Sequence, residues 1–475
     1  DMSGYKLIDD GNSGLKLAID DGSTPTQTGH KHYLCGKTHT EVGDHTSDVQ
    51  TEFKAWTETS SLPATKGNYY LENNVTLDDT WEPADGTVLC LNGKNITMKN
   101  PDSETKDVDA IKVSGQFTLT DCTSNEQGKI THAINSSNNK YKGKGVKVLG
   151  GTFNMYGGNI TGNTSNYDTG GSGVSIEGVS DTTKASIFKL YGGKISGNTA
   201  KSGGGVHVRR TVWCGPSEFR MYGGSITNNN ADSDAGSYGV GGGVYVSWTS
   251  KFFMSGGTIS ENTATQNGSG LYASALAKQY TTDSGGAATL NVSGDAIIND
   301  NTVDNNANNV YLDSDTTEFD TIRATLTISN PLTGNIGITA GAEVPVTIAT
   351  GADSNTDYSA VITSDNADYK VMHNSSNKSE LMLVSTAAPE HHWSKEWSAN
   401  DTYHWHKCTD ADCTEINDKE KHSGGTATCT EKAVCRVAIH LTAKYQNMNL
   451  AVNTNTALQD TGRNVSVKAV LRQAV

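Results

Sequence analysis

The chain is poor in positive charge, in proline, in cysteine and in long apolar runs, and each shortage narrows what the protein can be. The 37 Lys and Arg stand against 52 Asp and Glu, a formal net charge of -15. That balance argues against non-specific nucleic-acid binding, which needs basic side chains to replace phosphate counterions, and against anionic membrane surfaces. No stretch approaches the ~18 consecutive apolar residues of a bilayer span, so membrane insertion is not expected. Eight cysteines in 475 residues are too few for a disulfide scaffold, and four of them (Cys408, Cys413, Cys429 and Cys435) crowd one segment. Only 8 prolines accompany 51 glycines, and the polar load is Asn, Thr and Ser more than charge, a composition that favours turns and strands over helices. The opening Asp1-Met2-Ser3 carries no basic and apolar leader, and we expect a signal peptide to have been removed.

What is present is an internal repeat, the first feature to settle because a missed period misreads the architecture. MYGGNITGN from Met155, LYGGKISGN from Leu190, MYGGSITNN from Met221 and MSGGTISEN from Met254 share the template apolar-x-Gly-Gly-x-Ile-x-x-Asn, and VSGDAIINDN from Val292 is a weaker copy with one residue inserted. Between the copies recur GVKV from Gly145, GVSI from Gly173, GVHV from Gly205, GVYV from Gly243, GLYA from Gly270 and NVYL from Asn309. Their alternation has the period of two of a strand with one buried face. Phe153, Phe188, Phe219 and Phe252 stand two residues before the apolar position of the template, which makes a second strand there, and the Ile-x-x-Asn portion makes a third. Three short strands per repeat describe one turn of a parallel β-solenoid, in which copies stacked about 4.8 Å apart build a continuous core that no single copy could bury.

This stacking predicts inward columns of Val146, Val174, Val206 and Val244, of Met155, Leu190, Met221 and Met254, and of Ile160, Ile195, Ile226 and Ile259. Asn163, Asn198, Asn229 and Asn262 are expected to bond one another as an amide ladder, as stacked Asn does in cross-β assemblies. The starts of the GVxV elements lie 28, 32, 38, 27 and 39 residues apart, so insertions fall at the corners away from the template. Those corner loops are where binding is expected.

Upstream, NYYLENNVTLDDTW, GTVLCLNGKNITM and DAIKVSGQFTLTDC read as irregular first turns carrying Cys90 and Cys122, which as neighbours could be free thiols or a disulfide. Downstream, β character continues to about residue 385 as an end cap, since bare ends expose unpaired strand edges. Cys/His clusters flank both ends: His30, His32, Cys35, His39 and His45 at the front, and His391, His392, His404, His406, Cys408, Cys413, His422, Cys429 and Cys435 at the back. Such residues suit Zn2+, but the x4 and x5 gaps of the rear cysteines are looser than structural zinc usually takes, and an extracellular setting favours disulfides.

At these residues the sequence resembles the large surface proteins of Gram-positive gut bacteria that carry right-handed β-helix repeats of the pectate-lyase-like type, and the Gly-Gly-x-Ile and Ile-x-x-Asn elements look like the repeats of polymorphic outer-membrane adhesins. The resemblance covers roughly residues 60 to 385 and implies an all-β fold: a right-handed, single-stranded parallel β-helix with three strands per turn and small Cys/His-containing flanking modules. It leaves activity open, because that superfamily includes lyases, hydrolases, adhesins and inert stalks. The rear segment resembles short modules of such proteins in which HWHKC leads to TATCTEKAVC and a further Cys two residues on. Here Cys435 is followed by Arg436, Val437 and Ala438, and the pattern is lost through Val475. We hypothesise that a shifted frame or a truncation replaced the natural continuation, leaving a poorly ordered tail; resequencing that returned an unbroken homologous frame would remove the idea.

The outward positions of the GVxV strand are Lys147, Ser175, His207, Tyr245, Tyr272 and Tyr311, beside Glu177, Arg209, Ser247, Ser274 and Asp313. We expect Tyr245, Tyr272 and Tyr311 to form an aromatic ledge, with His207, Arg209, Arg210, Trp213 and Trp248 nearby, suited to the apolar face and hydroxyls of a sugar. The plainer reading is that stacked tyrosines stabilise neighbouring strands, and a second column of Tyr156, Tyr191 and Tyr222 favours it. Catalysis has weaker candidates. Glu177 and Asp313 would lie on the order of 19 Å apart, beyond the ~5–9.5 Å of glycosidase acids. Asp168 with Asp232 and Asp234 would be roughly 10 Å apart, and His207 with Arg209 could abstract a proton in lyase fashion. The calcium-binding nonapeptide of β-rolls does not occur.

The expected organisation is an N-terminal His/Cys segment over 1–55, irregular first turns over 56–144, regular repeats over 145–325, a β cap over 326–386, a Cys/His/Trp module over 387–435 and an atypical tail over 436–475. The expected function is an adhesin-like, secreted or cell-surface module, part of a larger protein, that meets carbohydrate or a host ligand. A polysaccharide-degrading enzyme and a passive stalk are the alternatives. No cofactor is required by this reading; zinc in the flanking modules, at Cys408, Cys413, Cys429, Cys435 and His422, is the metal the residues allow.

Overall fold

The computed structural model describes residues 5–9, 15–19, 30–34, 51–99, 108–123, 128–133, 143–165, 170–210, 213–233, 239–278, 285–387, 391–410 and 413–421. These form an all-β protein built largely of parallel sheets, with no helix among the described residues. The chain divides into two compact units, residues 1–387 and 388–475. The expected tail over 436–475 lies outside the described residues.

In the first unit the repeat is written directly into strand pairing. The Phe-bearing strands Gln116–Thr120, Thr152–Met155, Ser186–Leu190, Ser217–Met221 and Lys251–Met254, followed by Thr289–Gly294 with Leu290 at the Phe position, pair in parallel as the middle of a 14-stranded sheet. A 17-stranded sheet holds two further parallel series that meet at Asn335–Ala340. One contains the GVxV strands Val146–Leu149, Val174–Glu177, Val206–Arg209, Val244–Val246, Leu271–Ala273 and Val310–Leu312. The other contains the Ile-centred strands Asn159–Thr161, Lys194–Ser196, Ser225–Thr227, Thr258–Ser260 and Ile297–Ile298.

The expected columns are present in the register. Val146 aligns with Val174, Val206 and Val244; Met155 with Leu190, Met221 and Met254; Ile160 with Ile195, Ile226 and Ile259. All are buried and belong to one hydrophobic core shared by the sheets. Phe117, Phe153, Phe188 and Phe219 stack ring on ring at centroid separations of 4.9–5.6 Å. Each such buried side chain contributes about 1.5–3 kcal/mol, so it is repetition that makes a stable body from short strands.

One element was not expected. After each template Asn the chain makes a fourth, two-residue strand: Thr164–Ser165, Thr199–Ala200, Asn230–Ala231, Thr263–Ala264 and Thr302–Val303, in a sheet of its own. Two residues are too few to show a period, which is why the pattern did not expose it.

The amides of Asn163, Asn198, Asn229, Asn262 and Asn301 form the ladder, each Nδ2 donating to the next Oδ1 at 2.8–3.0 Å. Each backbone N–H donates to the same oxygen at 3.0–3.1 Å. Glycine is demanded beside it: a Cβ on Gly205 would stand 2.6 Å from the Gly243 carbonyl and 3.0 Å from Asn229 Nδ2. The second glycine of the template takes a left-handed backbone, with φ of 85° at Gly193.

Both ends of the 14-stranded sheet abandon the parallel mode. At the front His30–His32 pairs antiparallel with Thr51–Trp56, and at the back Glu380–Ser385 lies antiparallel to Val346–Thr350 and to Tyr369–His373. An antiparallel last strand interrupts the stacking register that would otherwise continue to a second copy. The second unit holds a three-stranded antiparallel sheet of Trp393–Ala399, Tyr403–Cys408 and Ile416–Lys421.

Candidate functional site

The alternation that buries the valines of each GVxV strand turns the residue between them outward, and parallel register then sets those residues side by side. Lys147, Ser175, His207, Tyr245, Tyr272 and Tyr311 are register partners in that order. The Tyr245 and Tyr272 rings lie 5.5 Å apart at 9°, and Tyr272 and Tyr311 5.2 Å apart at 13°, so three half-buried phenols form one stack. The His207 ring meets the Tyr245 end edge-on at 4.7 Å.

The face is less open than its sequence suggests. Ser175 is fully buried and His207 is 5% exposed. The backbone at Gly170 and Gly171 lies over the His207 side chain, where added Cβ atoms would stand 2.1 Å from its ring Nδ1 and 2.8 Å from its Cβ. Tyr272 donates to the Asp313 carboxylate; burial first, and then that carboxylate, push its phenol well above the usual range, and the same two causes raise Tyr311.

The remaining expected residues divide. Trp213 projects from its loop, 81% exposed, while Trp248 is half-buried beside Gly286. Arg210 faces protein: its guanidinium donates to the Cys214 carbonyl at 3.2 Å and the Thr249 carbonyl at 3.5 Å, and its N–H to Ser247 Oγ at 3.2 Å. It braces the loop that carries Trp213. Arg209 is half-buried and in register with Glu177.

The acids of this face are engaged. Glu177 accepts Lys147 Nζ at 3.1 Å and Ser175 Oγ at 3.0 Å; burial acts against its charge, yet Lys147 and Lys144 hold the carboxyl below its ordinary range. Asp313 accepts the N–H groups of Ala275 and Ser314 at 3.0 and 2.9 Å. Asp232 is exposed, whereas Asp168 and Asp234 lie outside the described residues. On the side of the two-residue strands, Asn230, Thr263, Thr265, Thr302, Asp304 and Asn305 line an open recess of about 370 Å³.

Two groups of side chains have metal-ligand chemistry. In the second unit one donor atom each of His391, Cys408 and Cys413 lie within 4.8 Å of one another, with His391 Nδ1 3.5 Å from Cys408 Sγ and 3.3 Å from Cys413 Sγ. Burial, then Cys413, push the Cys408 thiol up to about 11. Asp410, held down to about 2 chiefly by the His392 N–H and then by the Cys408 thiol, accepts from both. His422, Cys429 and Cys435 lie outside the described residues.

In the first unit the group is His30, His32, Cys90 and Cys122. The front histidines and the two upstream cysteines read separately in sequence; the structure brings them together, while Cys35, His39 and His45 lie outside the described residues. The nearness of Cys90 and Cys122 was expected, and it follows from register, Phe117 pairing with Thr87 and Thr120 with Cys90; what was missed is that His30–His32 joins the same sheet through Thr51–Trp56. Comparison with protein-family models, with curated proteins and with solved structures gave no match to the chain.

Proposed function

We propose that the parallel sheets of the first unit are the faces of a right-handed parallel β-helix with three principal strands per turn, and that it serves as a secreted or cell-surface binding module which meets carbohydrate along the Tyr245 face. The observation that carries the reading is the Tyr245, Tyr272 and Tyr311 stack, whose rings are within 13° of parallel from one to the next. Such a row offers repeated aromatic edges and hydroxyls at a spacing near that of an extended strand ladder, and flat aromatics with a few polar groups suit sugar rings. Trp248 and the exposed Trp213 supply further aromatic area from the loops that follow two of these strands. The net charge of -15 favours neutral or cationic glycans over polyuronates.

The enzymatic reading has less support, since Glu177 is tied to Lys147 and Asp313 to backbone N–H groups and Tyr272. A glycan array probed with the intact chain and with Tyr245→Ala tests the proposal. Retention of a glycan class that the variant loses, at an unchanged unfolding midpoint, is the expected result. Equal retention by both proteins, or retention of no glycan, overturns it, and release of reducing ends or unsaturated uronates from a polysaccharide panel would favour the enzyme instead.

A further inference from the structure

The front segment His30–His32 sits at the outer edge of the 14-stranded sheet, paired antiparallel with Thr51–Trp56. Its two histidines do not face solvent as a polar edge strand would have them. His30 stacks on Tyr70 at 4.1 Å and 11°, and His32 on Phe53 at 4.4 Å and 14°, while the two imidazoles meet edge to face at 5.0 Å. Beyond them the Leu34 carbonyl accepts the Thr120 hydroxyl. Packing on three sides therefore fixes both rings before any ligand is considered.

What the rings aim at is a pair of sulfurs. One donor atom from each of His30, His32, Cys90 and Cys122 lies within 4.8 Å of all the others. A tetrahedral zinc with bonds of about 2.3 Å to sulfur and 2.0–2.1 Å to nitrogen spaces its ligand atoms roughly 3.3–3.8 Å apart, so a small inward closure of this set reaches that geometry. His30 Nε2 is already 3.5 Å from Cys122 Sγ.

The tautomer of His32 is set for ligation. Its Nδ1 donates to the Tyr33 carbonyl at 2.5 Å, which leaves the lone pair on Nε2. That Nε2 is buried and has no hydrogen-bond partner. An orphaned, buried imidazole lone pair is costly unless something electrophilic meets it, and a backbone carbonyl on the opposite nitrogen is how metal-bound histidines are oriented.

The sulfurs agree. Both cysteines are free thiols, and a divalent cation would take both sulfurs as thiolates with release of their protons. A disulfide would consume both sulfurs and leave His32 Nε2 without a partner; a metal uses all four groups.

We propose that His30, His32, Cys90 and Cys122 form a structural Zn2+ site that pins the front segment to two successive strands of the parallel sheet. Two thiolates and two imidazoles are the ligand set zinc takes in closed, four-coordinate sites, with no position left for substrate. The site makes the sheet end a tied one: residues 30–34 are joined to positions near 90 and 122, so the edge is held by coordination as well as by a three-residue strand pairing. The proposal stands apart from the glycan reading.

The test is cobalt titration of the full chain, freed of metal under reducing conditions, because Co2+ in a tetrahedral thiolate site has strong visible and charge-transfer bands that report sulfur ligation. The sulfurs of the second unit are removed from the readout by using Cys408→Ser/Cys413→Ser/Cys429→Ser/Cys435→Ser as the parent. The parent is expected to bind one equivalent with those bands and to be displaced by Zn2+. Cys122→Ser in that background is expected to lose the charge-transfer intensity, and His32→Gln to weaken binding at least tenfold with the fold retained by circular dichroism. Protection of Cys90 and Cys122 from alkylation by Zn2+ in the unmutated chain covers the case in which Cys122→Ser fails to fold. A parent that binds no cobalt through sulfur, or a Cys90–Cys122 disulfide found in chain purified with zinc present, overturns the proposal.

Discussion

The side-chain amide of Asn309 donates to the Asp365 carboxylate across 2.6 Å, and with this bond the asparagine ladder ends. Asn301 Nδ2 donates a hydrogen bond to Asn309 Oδ1 at 3.0 Å, as each earlier Asn does to its successor. At the far end Asn163 Oδ1 faces His132 Nδ1 at 2.8 Å. Every amide in the row therefore points the same way, its N–H end toward a carboxylate and its oxygen end toward an imidazole. Aligned dipoles reinforce one another in a low-dielectric interior, so the row is expected to act as a unit.

Asn229 is the place to break it. Its Nδ2 donates to Ile195 O, Thr227 O and Asn262 Oδ1, and its Oδ1 accepts two bonds from Asn198. Asn229→Ala would leave several of these fully buried groups without partners, at about 1–3 kcal/mol for each one stranded. We expect a loss of roughly 3 kcal/mol or more in urea unfolding of the first unit, with an unchanged slope. A loss below about 1 kcal/mol would mean that water enters and replaces the amide.

Two half-buried acids, Asp365 and Glu177, should respond oppositely to pH. Burial raises the Asp365 carboxyl above its ordinary value, in spite of hydrogen bonds from Asn309 and Thr339 that pull it down. Its folded form binds a proton more readily than the unfolded chain does, so its contribution is complete below the ordinary carboxylate pKa of about 3.9 and is lost as pH rises through the raised value. Glu177 opposes it: burial works against its charge, but the lysines lower it, so its contribution is present above about 4.3 and is lost as pH falls through the lowered value. In unfolding midpoints measured across acid to neutral pH, Asp365→Asn should lose the share of the decline with rising pH that the unmutated chain shows through the raised value, whatever the loss of its hydrogen bonds from Asn309 and Thr339 costs at every pH. Glu177→Gln should fall below the unmutated chain at neutrality and converge on it on acidification. Parallel pH profiles for all three proteins would contradict both assignments.

Most of the regular body was legible because its signals are local and repeated. The Met/Leu and Ile columns and the ladder follow from a template whose internal spacing is the same in each copy from Met155 to Asn262, and the Val column from the recurring GVxV element, recognisable although its copies are unequally separated. What escaped was set by contacts across unequal spacings. Nothing in the sequence near Asn309 or Asp365 extends the template, yet both join the ladder because Asn335–Ala340 and Ile362–Ser364 bring them there. His207 was expected at a surface and is covered, since the backbone over it comes from the insertion loop ending at Gly170 and Gly171. The front Cys/His group was divided between two readings for the same reason: its members come from the strands His30–His32 and Thr87–Cys90 and from the residues just after Gln116–Thr120.

The inner and outer aromatic columns should separate cleanly in energy. Phe219 is fully buried and stacked on Phe188, whereas Tyr222, three residues on, is 41% exposed at the end of its stack. Phe219→Ala removes buried area and leaves a cavity between rings that cannot collapse, at about 3–5 kcal/mol. Tyr222→Ala should cost under about 1 kcal/mol. Equal losses in denaturant unfolding would show that the outer column carries packing as heavily as the core.

Tyr272 can separate a ligand surface from mere architecture. Its ring lies between Tyr245 and Tyr311, and its hydroxyl is committed to Asp313. Tyr272→Phe keeps the ring and its stacking and removes one donor from the Asp313 carboxylate, which still accepts the Ala275 and Ser314 N–H groups. The expected stability loss is therefore small, about 1 kcal/mol. If the proposed glycan contact is made by the aromatic edges, Tyr272→Phe should bind as the unmutated chain does, while Tyr272→Ala should lose affinity by tenfold or more. Isothermal titration with a glycan retained on the array, set beside unfolding of the same two variants, measures both quantities. A Tyr272→Ala protein that is destabilised but binds unchanged would make this stack a strand support and remove it as the ligand surface.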